Sequence, residues 1–239
     1  MSTPKPHSPI IRSLYISTML AMILNYVVQS VNQFIDGMLT SRFLGADAIS
    51  SFGLFSPLGM CVSAVSCVLW LGTQVECSHL MGKGESDKAK AVFRSSLTVL
   101  LVLSCALMAA FLIAAEPIAE LLGAGDTAAH LKQGTVMYLR GYAIGVPGYF
   151  LFNMLLSLLQ LTGKRRRAFA ATMVLLAVNI AGDLAVVFFL GHDLLGMALA
   201  TSLSNYAALL VALPCFLKPK DSPFRPIPGR VKPAHVRGV

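Results

Sequence analysis

The sequence predicts an all-α membrane protein built as a bundle of six transmembrane helices. The chain is 56% hydrophobic and only 13% charged, with a mean hydropathy of +0.71, whereas soluble domains carry about 25% charged residues. Its apolar residues also come in long runs, and about 20 of them suffice to cross a hydrocarbon layer roughly 30 Å thick. Such runs must be helical, because backbone polar groups cannot stay unpaired in lipid.

Six such runs are present, at residues 14–38, 49–75, 91–115, 136–161, 169–190 and 196–217. A transmembrane barrel would instead show alternating segments of about ten residues, and the sequence has no such alternation. We expect a cytoplasmic N-terminal segment at 1–13, a six-helix lobe at 14–217 and a basic, proline-rich cytoplasmic tail at 218–239. No cleavable signal is expected, because the first run is too long for one and no small-residue cleavage site follows it.

Lysine and arginine residues set the expected orientation. With six helices, the N-terminal segment, the second and fourth loops and the tail share one side, which holds all but three of the 19 Lys and Arg residues. The other side holds Arg42, Lys132 and Arg140. Since the basic side faces the cytoplasm, both termini are expected there, with the chain in the plasma membrane (the prokaryotic inner membrane) among membrane lipid. This topology accounts for the net charge of +8, so no nucleic acid partner is expected.

Catalytic signatures are absent from the sequence. We find no GxSxG, no HExxH and no phosphate-binding glycine-rich loop, which are the patterns that would position a nucleophile, a metal or a nucleotide. An enzyme is therefore not expected, and neither is an organic cofactor.

Polar residues inside the runs point to function, because a carboxylate within a membrane is costly. Asp183 follows Asn179 by four residues, so the two share a helical face. Asp36, near the outer end of the first run, and Thr201, one turn into the last run, lie at a similar depth. Oxygen ligands converging in this way suit a hard cation, and a buried carboxylate alone suits a proton. The structural alternatives are an Asn–Asp pair that joins two helices and, for Asp36, a place at the interface.

Glycines in the fourth run leave two interpretations open. Gly141 and Gly145 lie four residues apart and are followed by Pro147 and Gly148. The pattern is typical of close helix packing with a kink. A kink that lines a cavity is the functional alternative.

Several stretches also carry a family resemblance, and the Asn179, Asp183 and Thr201 spacing with Asp36 upstream is the most specific of them. The others are Ser41-Arg42-Phe43-Leu44-Gly45-Ala46, Met81-Gly82-Lys83-Gly84-Glu85, Tyr138-Leu139-Arg140, Val146-Pro147-Gly148, Val178-Asn179-Ile180-Ala181-Gly182-Asp183 and Gly196-Met197-Ala198-Leu199-Ala200-Thr201. On these residues the chain resembles the N-terminal half of a multidrug and toxic compound extrusion (MATE) transporter, over about residues 10–217.

The resemblance implies secondary-active efflux of small cationic or amphipathic compounds, driven by antiport of H+ or Na+. It implies a cation-binding site for either ion at Asp36, Asn179, Asp183 and Thr201. Tyr138 and Asn153 match positions near that site, where they would line a cavity. Members of the family have twelve helices in two lobes, so a second lobe or a second copy of this chain is an expected partner.

Two other functions stay open. The first is an inactive or partner-dependent truncated lobe. The second is a lipid-linked oligosaccharide flippase of the wider exporter group, in which several basic residues would line a large cavity. Only Arg42 and Arg140 lie near the outer ends of the spans, so the flippase ranks below the multidrug exporter.

Overall fold

The computed structural model describes residues 9–124, 129–190, 193–217 and 224. These residues form eight α-helices and no strand. The helices are α1 (Pro9–Leu39), α2 (Ala46–Gly82), α3 (Ser86–Ile113), α4 (Ala115–Leu121), α5 (Ala129–Leu161), α6 (Arg165–Phe189), α7 (Leu194–Ala212) and α8 (Pro214–Leu217). A π-helical turn, Thr40–Leu44, follows α1.

The six predicted spans fall on α1, α2, α3, α5, α6 and α7, which confirms the all-α membrane fold. Among the described residues, five helices are long and apolar enough to cross a membrane, namely α2, α3, α5, α6 and the stretch Leu194–Phe216 that contains α7. The sixth, α1, has 31 residues. Helices α2 and α5 begin before the predicted runs, because apolar length marks only the part of a helix inside the hydrocarbon layer. The predicted tail lies outside the described residues except for Phe224.

Helix α4 was missed by the sequence analysis, which treated its residues as a loop. Glu120 of α4 pairs with Lys132 at 2.5 Å and Glu116 pairs with Arg140 at 3.6 Å, so two ion pairs connect α4 to α5. A seven-residue helix is too short for hydrophobic periodicity to reveal it. The two pairs also mean that both basic residues expected on the outer side of α5 have acidic partners.

Helix α5 lies at the centre of the bundle. It packs against α2, α3 and α7, whereas α6 packs chiefly on α7 and α1 packs chiefly on α6. Helix α1 therefore lies at the edge of the lobe. Its opposite face exposes large apolar side chains such as Ile23, Val27 and Phe34.

Glycines on α5 allow α7 to approach closely. A methyl group added at Gly141 would lie 2.7 Å from the Ala198 Cβ, and one at Gly145 would lie 2.8 Å from the Cα of Ser202. The Ser202 hydroxyl donates a hydrogen bond of 2.8 Å to the Gly141 carbonyl. Both glycines therefore serve the close helix packing that the sequence predicted. Helix α5 continues without interruption through Pro147.

Glycine also occurs at two connections between helices. Gly45 and Gly84 have φ of 92° and 78°, in the left-handed region that favours glycine. Asp193 caps α7 by accepting a hydrogen bond of 2.7 Å from the Gly196 N–H.

Candidate functional site

Two buried carboxyl groups meet where α1 packs against α6. Asp36 lies one turn before the end of α1 and Asp183 lies in the outer part of α6. Asp183 is fully buried and Asp36 is 8% exposed. The two groups are close enough to interact directly. Asp36 is therefore a buried partner of Asp183 rather than an exposed residue at the helix end.

Asn179 and Thr201 belong to the same cluster. Asn179 is fully buried on α6, one turn before Asp183. Its Nδ2 donates a hydrogen bond of 3.1 Å to the Oγ1 of Thr201 on α7. The Thr201 hydroxyl donates in turn to the Met197 carbonyl at 3.2 Å. The structure thus brings together all four residues that the sequence singled out as a cation site.

Four oxygen atoms of this cluster lack hydrogen-bond donors. If both carboxyl groups are ionised, Asp36 Oδ1, both Asp183 oxygens and Asn179 Oδ1 accept no hydrogen bond from the described residues. An unsatisfied buried polar atom costs roughly 1–3 kcal/mol, and more when it is charged. Among residues 9–124, 129–190, 193–217 and 224, no group of three or more His, Cys, Asp or Glu side chains could by itself hold a metal ion. A cation held here would therefore need amide and hydroxyl oxygens beside the two carboxylates.

Tyr138 of α5 lies near the carboxyl pair, whereas Asn153 lies much further along the same helix. The Tyr138 side chain is 5% exposed, and its phenol is close enough to interact with both Asp36 and Asp183. Its ring packs against Phe55 of α2, with the ring centroids 4.8 Å apart. Asn153 lies 15 residues further along α5, about 22 Å away at 1.5 Å per residue. Its amide donates to the Tyr149 carbonyl at 2.8 Å.

Two buried asparagines on α1 were missed by the sequence analysis. Asn25 and Asn32 are 6% and 7% exposed. Asn25 Oδ1 accepts a hydrogen bond of 2.6 Å from the Thr172 hydroxyl of α6. Their spacing could have revealed them. Asn25, Asn32 and Asp36 lie on one helical face at intervals of seven and four residues. On α6, Thr172, Asn179 and Asp183 have the same intervals.

Comparison with known proteins connects this geometry to a family. The MatE family model matches residues 21–185. The chain is 27% identical over 210 residues to the probable multidrug resistance protein YoeA of Bacillus subtilis, covering 85% of this chain and 44% of that protein. It is 28% identical over 204 residues to the multidrug export protein MepA of Staphylococcus saprophyticus, covering 82% of this chain and 44% of that protein. An FAD transporter of Shewanella oneidensis is 26% identical over 170 residues, covering 70% of this chain and 37% of that protein. The chain thus spans less than half the length of these relatives.

Solved structures show the same fold. A MATE transporter in the bent conformation matches with a TM-score of 0.83 at 23% identity, covering 95% of this chain and 50% of that one. An outward-facing multidrug resistance MATE transporter matches with a TM-score of 0.83 at 22% identity, covering 94% of this chain and 49% of that one. The family model and the fold agree, which confirms the resemblance found in the sequence. The chain belongs to the MatE family of membrane transporters.

Proposed function

We propose that this chain is a half-length multidrug exporter that moves small cationic or amphipathic compounds outward in exchange for H+ or Na+. The observation that carries the proposal is the buried Asp36–Asp183 pair, in which Asp36 Oδ1 and both Asp183 oxygens accept no hydrogen bond from the described part of the chain. The names of two relatives, a probable multidrug resistance protein and a multidrug export protein, support the substrate class.

Coupling follows from the electrostatics of the pair. Two carboxyl groups this close together in a low-dielectric site do not both ionise unless a cation joins them. A cation can drive transport only if it binds one conformation better than another. The pair bridges α1 and α6, and α1 contacts the lobe mainly through α6. We therefore infer that binding of H+ or Na+ favours one position of α1 relative to the rest of the lobe.

The substrate surface that we propose is the opposite face of α1. It carries a shallow groove of about 450 Å³ lined by Ile23, Tyr26, Val27, Ser30, Val31 and Phe34. Four apolar side chains beside a phenol and a hydroxyl suit an amphipathic compound, and the Tyr26 ring can face a cationic group. None of the described residues that line this groove is a Lys or Arg, which argues against the flippase and against an anionic substrate.

A second lobe is part of the proposal. The chain spans 44% of YoeA, and the exposed apolar face of α1 has no partner from within the described lobe. A second six-helix lobe can be another chain or a second copy of this one, since parallel repeats can be related by an axis along the membrane normal. Crosslinking in native membranes is expected to capture a dimer of this chain, and a monomer at every crosslinker concentration would contradict the second copy.

Efflux of a fluorescent cationic dye tests the function. Cells that express the 239-residue chain should lose dye faster than cells with an empty vector. The Asp36→Asn variant should lose it no faster than the vector, because it removes one of the two carboxylates proposed to hold the coupling ion. A fluorescent protein fused to the C-terminus would report insertion and the proposed cytoplasmic location of that end. No efflux despite good insertion would contradict independent activity and favour a lobe that needs its partner.

A further inference from the structure

Helices α1 and α6 run side by side in the same direction, and two contacts fix their register. At one level the Thr172 hydroxyl donates to Asn25 Oδ1 at 2.6 Å. Eleven residues further along each helix, Asp36 interacts directly with Asp183. Eleven residues of helix rise about 16 Å. The two helices are therefore in register over this whole distance, and we call the contact between them the α1–α6 seam.

The middle level of the seam holds two amides. Asn32 and Asn179 each lie seven residues after the lower contact and four before the carboxyl pair, so they occupy the same height on their two helices. Asn32 is 7% exposed and Asn179 is fully buried. The Oδ1 atoms of both accept no hydrogen bond from any described residue. Asn32 is thus a second buried amide with an unused oxygen at the level of the candidate cation site.

We propose that Asn32 Oδ1 is a further ligand of the coupling cation and that the cation is sodium, an inference that rests on the proposed function. An amide oxygen does not take up a proton near neutral pH, and a proton held by Asp183 supplies a single O–H donor. At least one of the oxygens of Asn32 and Asn179 would then stay unpaired. Hard metal cations bind through several converging oxygens. Sodium can use the amide oxygens of Asn32 and Asn179 together with the carboxylates of Asp36 and Asp183.

Binding of radioactive sodium to the purified full chain tests this ligand. The Asn32→Leu variant should bind sodium about tenfold more weakly, the loss expected when one contact to a charged group is removed. The Asn32→Asp variant keeps an oxygen at this position, removes the amide N–H groups and adds a negative charge when it is ionised, so it should bind sodium at least as tightly as the wild type. Gln33→Leu is the matched control, because it removes an exposed amide from the next position of the same helix. Thermal melting of each variant would report its folding.

Each outcome separates this inference from the proposed function. Sodium binding that Asp183→Asn abolishes but Asn32→Leu leaves unchanged would overturn the role of Asn32 and keep the carboxylate site. Equal weakening in Asn32→Leu and Asn32→Asp would mean that an oxygen at this position does not support sodium binding, which also overturns the ligand. If Asn32→Leu fails to fold, tight binding by Asn32→Asp would still support the oxygen ligand. A wild type without saturable sodium binding would overturn the sodium assignment, and dye efflux would then decide whether a proton drives export.

Discussion

Replacing Asp183 with asparagine is expected to abolish cation-coupled export while leaving the chain inserted in the membrane. Asp183 is fully buried, and its carboxylate oxygens have no donor among the described residues. Asparagine keeps the shape of the side chain and removes the charge that would hold H+ or Na+. We therefore expect dye efflux at the level of the empty vector and cation binding by the purified chain below detection.

Asp47→Asn is the matched control for this variant. Asp47 lies in the first turn of α2 and is exposed, so the same chemical change there should leave both measurements as in the wild type. Normal efflux or normal cation binding by Asp183→Asn would contradict the site. The binding measurement decides the question even if the lobe needs a partner for export.

Gly145→Ala is expected to weaken the lobe itself by forcing α5 away from α7. The added methyl group would lie 2.8 Å from both the Cα and the Cβ of Ser202, and a backbone atom cannot move without shifting α7. Overpacking of this kind costs about 1–3 kcal/mol. We expect a lower melting temperature in detergent and a smaller monodisperse fraction on size-exclusion chromatography.

Gly53→Ala in α2 is the matched control, and it is expected not to destabilise the lobe. A methyl group at Gly53 meets nothing within 4 Å, and replacing glycine by alanine in an open helical position favours the helix by up to about 1 kcal/mol. Its melting temperature should therefore stay the same or rise. A Gly145→Ala lobe as stable as Gly53→Ala would show that α7 can move away freely, contrary to the packing described here.

Prediction from sequence worked best where a single segment carries the signal. Long apolar runs identified the spans, because the transfer of a helix into lipid depends on its own length and composition. The four-residue interval between Asn179 and Asp183 placed both on one face, because helical periodicity is local. Helix α4 was missed because seven residues carry too little periodicity.

The sequence by itself determined the helical membrane fold, and it supplied the carboxylates that we propose bind a cation. Only the tertiary structure decided which helices are neighbours. It placed α1 in register with α6, which lies more than 100 residues later in the chain. This register brings the buried Asn32 to the level of the candidate site. The physical reason is that hydropathy measures the interaction of each helix with lipid, whereas helix pairing depends on small and polar side chains that must match across distant segments.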